Sequence, residues 1–251
     1  MGGTIGYAVT VVVTGYFLKD NYSSIFWMAA LLIGIGLFFV FLLPPVKGAG
    51  DKKKKMDSVF TILSDHKLAV LIGFNLVYGL GNSFFYNFYP LHFVEIGGNS
   101  QMIGWMMFAC SVAEIPCLLV MHRLVKRFGV AKILILAGTL TCIRWTFLCC
   151  LTDPLWIIIV NLLHGFSFTG FTYCLLNYIN YKVPASLRAG SQVLQVTITT
   201  VFSKLLFGFI GGIAFEEWGS GTMMACSAVL IGVATVLFAI WSRGKKEDLA
   251  F

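Results

Sequence analysis

Long apolar runs alternate with short polar breaks along almost the whole chain. Eight runs stand out, at 4–18, 24–43, 69–93, 102–121, 133–151, 155–178, 193–215 and 222–241. A helix that crosses a bilayer needs about 20 apolar residues. The pattern therefore predicts an all-α integral membrane bundle of about eight transmembrane helices, the first of them short. That first run lacks the basic n-region and the cleavage site of a signal peptide.

The polar breaks differ in charge on alternate sides. Lys47, Lys52 to Lys55 and Lys67 separate the second and third runs. Arg123, Lys126, Arg127 and Lys132 separate the fourth and fifth, Lys182 and Arg188 the sixth and seventh, and Arg243, Lys245 and Lys246 follow the eighth. The other breaks hold Lys19 with Asp20, Glu95, Asp153, Glu216 and Glu217. Basic loops stay in the cytoplasm, so the pattern predicts a multi-pass protein of the plasma (inner) membrane with both termini cytoplasmic. The stretch PPVKGAGDKKKKMDSVFTILSDH at 44–66 divides it: two spans in 1–43, a cytoplasmic basic linker, six spans in 67–242 and a cytoplasmic tail at 243–251. Its lysine run reads as an anchor on anionic lipid or as a regulatory site. Val59 to Leu63 is expected to lie on the membrane surface.

Composition removes several function classes. Of 251 residues 58% are hydrophobic and 12% charged, where a soluble domain carries about 25% charged residues, and mean hydropathy is +0.86. The net charge of +7 does not point to nucleic acid, because the basic residues sit in separate loops rather than on one face. The seven cysteines lie mostly inside apolar runs without metal-ligand spacing, as small buried residues do. Neither H-E-x-x-H nor G-x-S-x-G occurs, so no enzyme, metal or cofactor is expected.

Chemistry enters with the ionisable residues inside the spans. An arginine at mid-membrane costs at least about 2.5 kcal/mol, yet Arg144 stands in LTCIRWTFL. At 1.5 Å of rise per residue, Arg144 lies about 18 Å from the inner face, Glu114 about 13 Å from it and His164 about 15 Å from the outer face. Lys204 lies about 24 Å along its helix from Arg188, and less if the helix starts later. Four such groups are expected to converge on a shared polar cavity. Arg144 is expected to pair with Glu114, either as a fixed lock between helices or as a pair that breaks when Glu114 takes a proton. Pro116 should kink the helix beside Glu114. His164 shares a face with Asn161 and Ser167 and is either a packing residue or, with its ordinary pKa of about 6.5, a proton relay. Tyr78, Asn82, Tyr86 and Tyr89 repeat at spacings of three and four, as packing or as a surface for rings and hydroxyls.

The order of these features resembles the major facilitator superfamily of transporters. Six spans after a basic linker match one half of such a bundle. HRLVKRFGVAK at 122–132 is similar to the family's loop G-x-x-x-D-R-x-G-R-R: Lys126, Arg127 and Gly129 fit, with Arg123 beside them, while Lys126 stands at the family's Asp and His122 at its first Gly. GTIGYAVTVVVTGYFLKDNYSSIFW (Gly3 to Trp27), LAGTLTCIRW (Leu136 to Trp145), LLHGFSF (Leu162 to Phe168) and VFSKLLFGF (Val201 to Phe209) resemble the fifth and sixth, ninth, tenth and eleventh helices of the branch containing lactose permease and the nucleoside and phenylpropionate permeases. The resemblance implies the last two helices of an N-terminal half and a complete C-terminal half, with the first four helices lacking. The chain then reads as a truncation or a mis-started gene model.

The resemblance implies a proton-coupled symporter of a sugar, nucleoside or small aromatic carboxylate, with Glu114, His164 and Arg144 in proton coupling and Tyr7, Tyr78, Asn82, Tyr86, Asn161, His164 and Lys204 around the solute. Arg123, Lys126, Arg127 and Gly129 would form the conformational loop. Several positions depart from the branch. Ser167 replaces the glutamate that carries the proton in lactose permease, Tyr7 a tryptophan that stacks on the sugar, and Gly79 and Asn82 the aspartates that balance the lysine at 204. Lys204 then either loses its proton or awaits an anionic ligand. Proton-coupled drug efflux and a non-transporting membrane scaffold are the alternatives. The implied partners are a small solute, protons and the lipid bilayer, and missing N-terminal helices or a second copy would complete the cavity.

Overall fold

The computed structural model describes residues 2–18, 23–43, 65–184 and 187–243. The expected linker, apart from its last two residues, and nearly all of the expected tail lie outside the described residues. The described chain is helical: α1 (Gly2–Leu18), α2 (Ser23–Phe41), α3 (His66–Asn87), α4 (Tyr89–Glu95), α5 (Ser100–Phe128), α6 (Val130–Cys150), α7 (Pro154–Val160), α8 (Leu163–Lys182), α9 (Arg188–Val196), a π-helical turn (Thr197–Phe202) and α10 (Ser203–Arg243). Among the described residues six helical runs are long and apolar enough to cross a membrane. The last, Arg188–Arg243, is 56 residues long, which at about 1.5 Å per residue is far more than one crossing requires. It breaks at Gly219, whose φ of 73° and ψ of 164° are not helical, and so supplies two passes. With α1, of 17 residues, the expected eight passes are present.

Polar side chains start several helices. Asp65, Asn99 and Asp153 each accept a bond from a first-turn amide: Lys67 N at 2.9 Å, Met102 N at 2.9 Å and Leu155 N at 2.8 Å. Such caps satisfy donors that have no partner inside the helix.

Four boundaries differ from the expected ones. The stretch 122–132 is not a loop: α5 runs to Phe128, α6 starts at Val130, and Gly129 alone turns the chain, with φ 82°. A side chain resists that backbone conformation, while glycine adopts it freely. The helices simply continue beyond the hydrocarbon core, where hydropathy gives no sign of them. The third span is broken at Phe88 before Pro90, and the sixth at Asn161 and Leu162, where the Asn161 amide bonds the Ile157 carbonyl at 2.9 Å. The seventh carries the π turn.

Lipid tails are as apolar as leucine, so helices in a membrane associate by close packing rather than by escape from water. Small residues permit that here. A Cβ at Gly104 would stand 2.8 Å from the Val11 carbonyl oxygen of α1, one at Gly165 would collide with the Ala113 backbone of α5, and one at Gly81 would enter the Trp145 ring. Between α3, α6, α8 and α10 an aromatic column fills the core. Phe74 stacks on Phe238 at 4.7 Å, Tyr78 on Phe171 at 4.4 Å and, more loosely, on Trp145 at 6.2 Å. By contrast α2 has no buried residue and touches the rest mainly through α1.

Candidate functional site

A cavity of about 590 Å³ lies between α1, α3, α5, α8, α9, the π turn and the start of α10. Six of the residues singled out from the sequence reach its wall: Tyr7 from α1, Tyr78, Asn82 and Tyr86 from α3, Glu114 from α5 and Lys204 from α10. The spacing of Tyr78, Asn82 and Tyr86 places them one above another on α3. Tyr89 leaves this stripe. It is fully buried and its hydroxyl donates to the Leu148 carbonyl at 3.1 Å. Tyr78 is mostly in the aromatic column and shows the cavity little of its surface.

Behind the wall lies a second group, with Arg144, Asn161 and His164 all fully buried. Arg144 Nη1 stands 2.7 Å from His164 Nδ1 and donates to Asn161 Oδ1 at 3.5 Å. Its guanidinium lies 4.8 Å from the Phe85 ring centroid and 6.0 Å from that of Trp145, within range of a cation–π attraction. Its Nε and Nη2 have no hydrogen-bond partner among the described residues. His164 Nε2 faces the Tyr86 hydroxyl at 3.1 Å and Glu114 Oε1 at 3.7 Å.

The expected Arg144–Glu114 pair is therefore not made. Helix α8 packs against both α5 and α6, which barely touch each other, and it puts His164 between the two charges. The geometry also fixes the histidine's tautomer. A guanidinium only donates, so Nδ1 must accept and the ring hydrogen is on Nε2, pointing toward Tyr86 and Glu114. The Ser167 hydroxyl donates within its own helix, to the Leu163 carbonyl at 2.8 Å.

Pro116 lies inside α5, two residues beyond Glu114, and cannot donate to the Val112 carbonyl. Lys204 stands exposed at the cavity margin, and no carboxylate among the described residues pairs with it. The missing partner has a steric explanation. Gly79 lies against the π turn, where a Cβ would collide with the Thr199 carbonyl oxygen and lie 2.9 Å from Ser203 Oγ. No aspartate fits at 79 while the turn stays there.

Sequence reasoning missed the wall that α9 and the π turn supply, with Gln195, Thr199 and Thr200. Their signal was the four-residue spacing of Gln195, Thr199 and Ser203. Gln195 Nε2 donates to Thr199 Oγ1 at 2.8 Å, and Ser203 Oγ donates to the Thr199 carbonyl at 2.8 Å. Asn75 and Ser111 were missed too. Of the conformational-loop residues, Arg123, Lys126 and Arg127 are exposed on the last turns of α5, and Gly129 ends that helix. Among the described residues no group of histidine, cysteine and carboxylate side chains is arranged to hold a metal.

A multi-pass helical bundle with a cavity that gathers polar and charged side chains has the form of an integral membrane transporter. Residues 2–225 match the MFS_1 like family, and the chain belongs to this family of major facilitator superfamily transporters. It is 26% identical over 243 residues to the putative nucleoside transporter YegT of Escherichia coli K12, a match covering 88% of this chain and 56% of that protein. It is 24% identical to the maltose permease of Geobacillus stearothermophilus, covering 94% of this chain and 60% of the permease. A shorter match, 23% identical over 140 residues, is to a probable 3-phenylpropionic acid transporter of E. coli K12, over 51% of this chain and 35% of that one. The chain thus spans little more than half the length of the first two relatives. The crystal structure of the nucleoside transporter NupG (D323A mutant) superposes with a TM-score of 0.79 over 95% of this chain and 65% of NupG, at 17% identity, which shows a shared fold. The family and these relatives are transporters, not enzymes.

Proposed function

We propose that this chain is part of a proton-coupled symporter that moves a small polar organic solute by alternating access. The observation that carries the reading is Glu114: a carboxylate on the wall of a polar cavity, 3.7 Å from His164 Nε2. A cavity of about 590 Å³ is in the range that holds small organic ligands. Tyr7 and Tyr86 offer ring faces, Asn82 offers an amide, and Lys204 offers a cation to a carboxylate. The names of the relatives, for a nucleoside, maltose and 3-phenylpropionic acid, support a solute of this kind.

The hydrogen-bond geometry favours Glu114 over His164 as the proton carrier. A second proton on His164 would go to Nδ1, break the bond to Arg144 and set two cations against each other. Glu114 takes a proton without losing a bond. His164 then acts as a spacer through which the buried Arg144 charge is felt at Glu114.

The wider arrangement belongs to the same proposal. Residues 1–43 would be two spans of an N-terminal half, 44–66 a cytoplasmic linker, 67–242 the C-terminal half and 243–251 a tail, with both termini on the cytoplasmic side of the inner membrane. Helices of the remaining N-terminal half, or a second copy, would close the cavity beside the half-exposed Tyr7 ring. Arg123, Lys126, Arg127 and the Gly129 turn would move at the inner end.

The test is uptake of labelled uridine, maltose and 3-phenylpropionate by membrane vesicles holding the protein, with an imposed pH gradient. Accumulation of at least one solute that collapses with a protonophore is expected. Glu114→Gln should abolish accumulation and leave solute exchange, and undiminished accumulation by that variant overturns the proton role.

A further inference from the structure

A second cavity, about 470 Å³, opens between α5 and α8 near Gly129, apart from the solute cavity of the proposed transport. His122, Lys126, Tyr173, Asn177, Asn180 and Tyr181 line it. His122 Nδ1 lies 3.1 Å from the Tyr173 hydroxyl. Asn180 accepts from Gln192 Nε2 at 2.8 Å through its oxygen, which leaves its amide hydrogens for another partner. The Lys182 ammonium sits 5.4 Å from the Tyr181 ring centroid at the same end. Lys126, the Asn180 amide and the His122–Tyr173 pair thus bring donors to one space, and no carboxylate among the described residues lines it.

The surroundings reinforce the positive character. Arg123, Arg127, Lys132 and Arg188 lie at this end of the bundle. Glu95, Asp153, Glu216 and Glu217 lie at the other, since α5 begins after Glu95 and finishes beside the cavity, and among the described carboxylates Asp65, which caps α3, shares the basic end. A bare ion would leave most of the volume empty, and two tyrosine rings beside basic side chains suit a ligand with an organic body.

We infer that this cavity binds a phosphorylated organic anion, its phosphate held by Lys126, His122 and the Asn180 amide and its body against Tyr173 and Tyr181. An anionic phospholipid headgroup and a soluble phosphate ester share that chemistry. Basic residues at a membrane surface contribute about 1 kcal/mol each toward anionic lipid.

Native mass spectrometry of the detergent-purified full chain tests the site, with phosphatidylglycerol and phosphatidylcholine as probes and inorganic phosphate as competitor. The wild type should retain phosphatidylglycerol over the zwitterionic lipid. Lys126→Gln and His122→Ala should each lower retention, Lys126→Gln by roughly fivefold, while the exposed Lys132→Gln, an equal loss of charge outside the cavity, should lower it clearly less. Displacement by millimolar inorganic phosphate supports the site and assigns it to soluble phosphates. Retention that resists phosphate supports it as a headgroup site. Equal losses for Lys126→Gln and Lys132→Gln, or no preference for phosphatidylglycerol together with no binding of phosphate, overturns it. All three positions are exposed, and an unchanged helical circular dichroism spectrum separates loss of the site from loss of the fold.

Discussion

Around Arg144 the polar groups close on one another, whereas around Glu114 they open onto the cavity. Both regions put an ionisable side chain within an apolar membrane-spanning helix, and they deal with it differently. Arg144 is fully buried, with an imidazole, an amide and two ring faces as neighbours. Glu114 keeps 14% of its side chain exposed, and His164, its ion-pair partner among the described residues, stands beyond ordinary hydrogen-bond length. A charge held by fixed partners contributes to packing and to the local field. A charge on a cavity wall is free to change its protonation state and its partner. His164 belongs to both regions, so the contrast turns on this residue.

The sharpest way to break the contrast is to remove His164. His164→Leu leaves the Arg144 guanidinium buried without its shortest contact. Stranding a buried charge costs about 3–5 kcal/mol, so thermal melting in detergent should show a large loss of stability. Adding Arg144→Met should recover much of that loss, since a buried polar group can be replaced together with its partner at little cost. A double variant no better than His164→Leu would show that the network does not act as a unit.

Next in size is a prediction that separates stability from function. Glu114→Gln should change the melting free energy by less than about 1 kcal/mol, since the residue has no short hydrogen bond to lose, while accumulation of solute disappears. Equal damage to melting and to transport would put Glu114 with the packing residues. Lys204→Cys probes the open side further and should lower uptake of 3-phenylpropionate far more than uptake of maltose. An equal loss of both would remove the lysine from solute recognition.

Within the closed region a smaller effect than that of His164→Leu is expected at its rim. Asn161→Ala deletes a 3.5 Å bond to Arg144 and a 2.9 Å bond to the Ile157 carbonyl. A loss of about 1 kcal/mol follows from the ordinary net value of such bonds, measured by the same melting experiment. A loss as large as that from His164→Leu would make Asn161 an equal support of the guanidinium.

Much of the fold was legible because lipid imposes a simple rule: a crossing segment must be apolar and about 20 residues long. The eight passes follow from it. The one-residue turn at Gly129 was not legible, because α5 and α6 extend past the hydrocarbon core on polar residues such as Arg123 and Lys132. The π turn was not legible either. It brings the Thr199 carbonyl against Gly79, and that fit depends on two helices distant in sequence. At the candidate site the residues to watch were visible, since ionisable groups within membrane runs are costly and few. Their grouping was only half visible: Tyr7, Asn82, Tyr86, Glu114 and Lys204 share a cavity, while Arg144, Asn161 and His164 lie behind it.

The sequence by itself determined how many times the chain crosses the membrane and which breaks are basic, and it set an expected depth for each polar residue. Depth follows from counting residues along a helix of fixed rise. Only the tertiary structure decided which way each helix is turned and which neighbour it meets. Every run here is apolar around most of its circumference, so no single stripe specifies its rotation. Rotation is set by where small residues let backbones approach, as at Gly104, Gly165 and Gly79. For that reason Arg144 meets His164 on α8 and not Glu114 on α5, although both lie near the same depth.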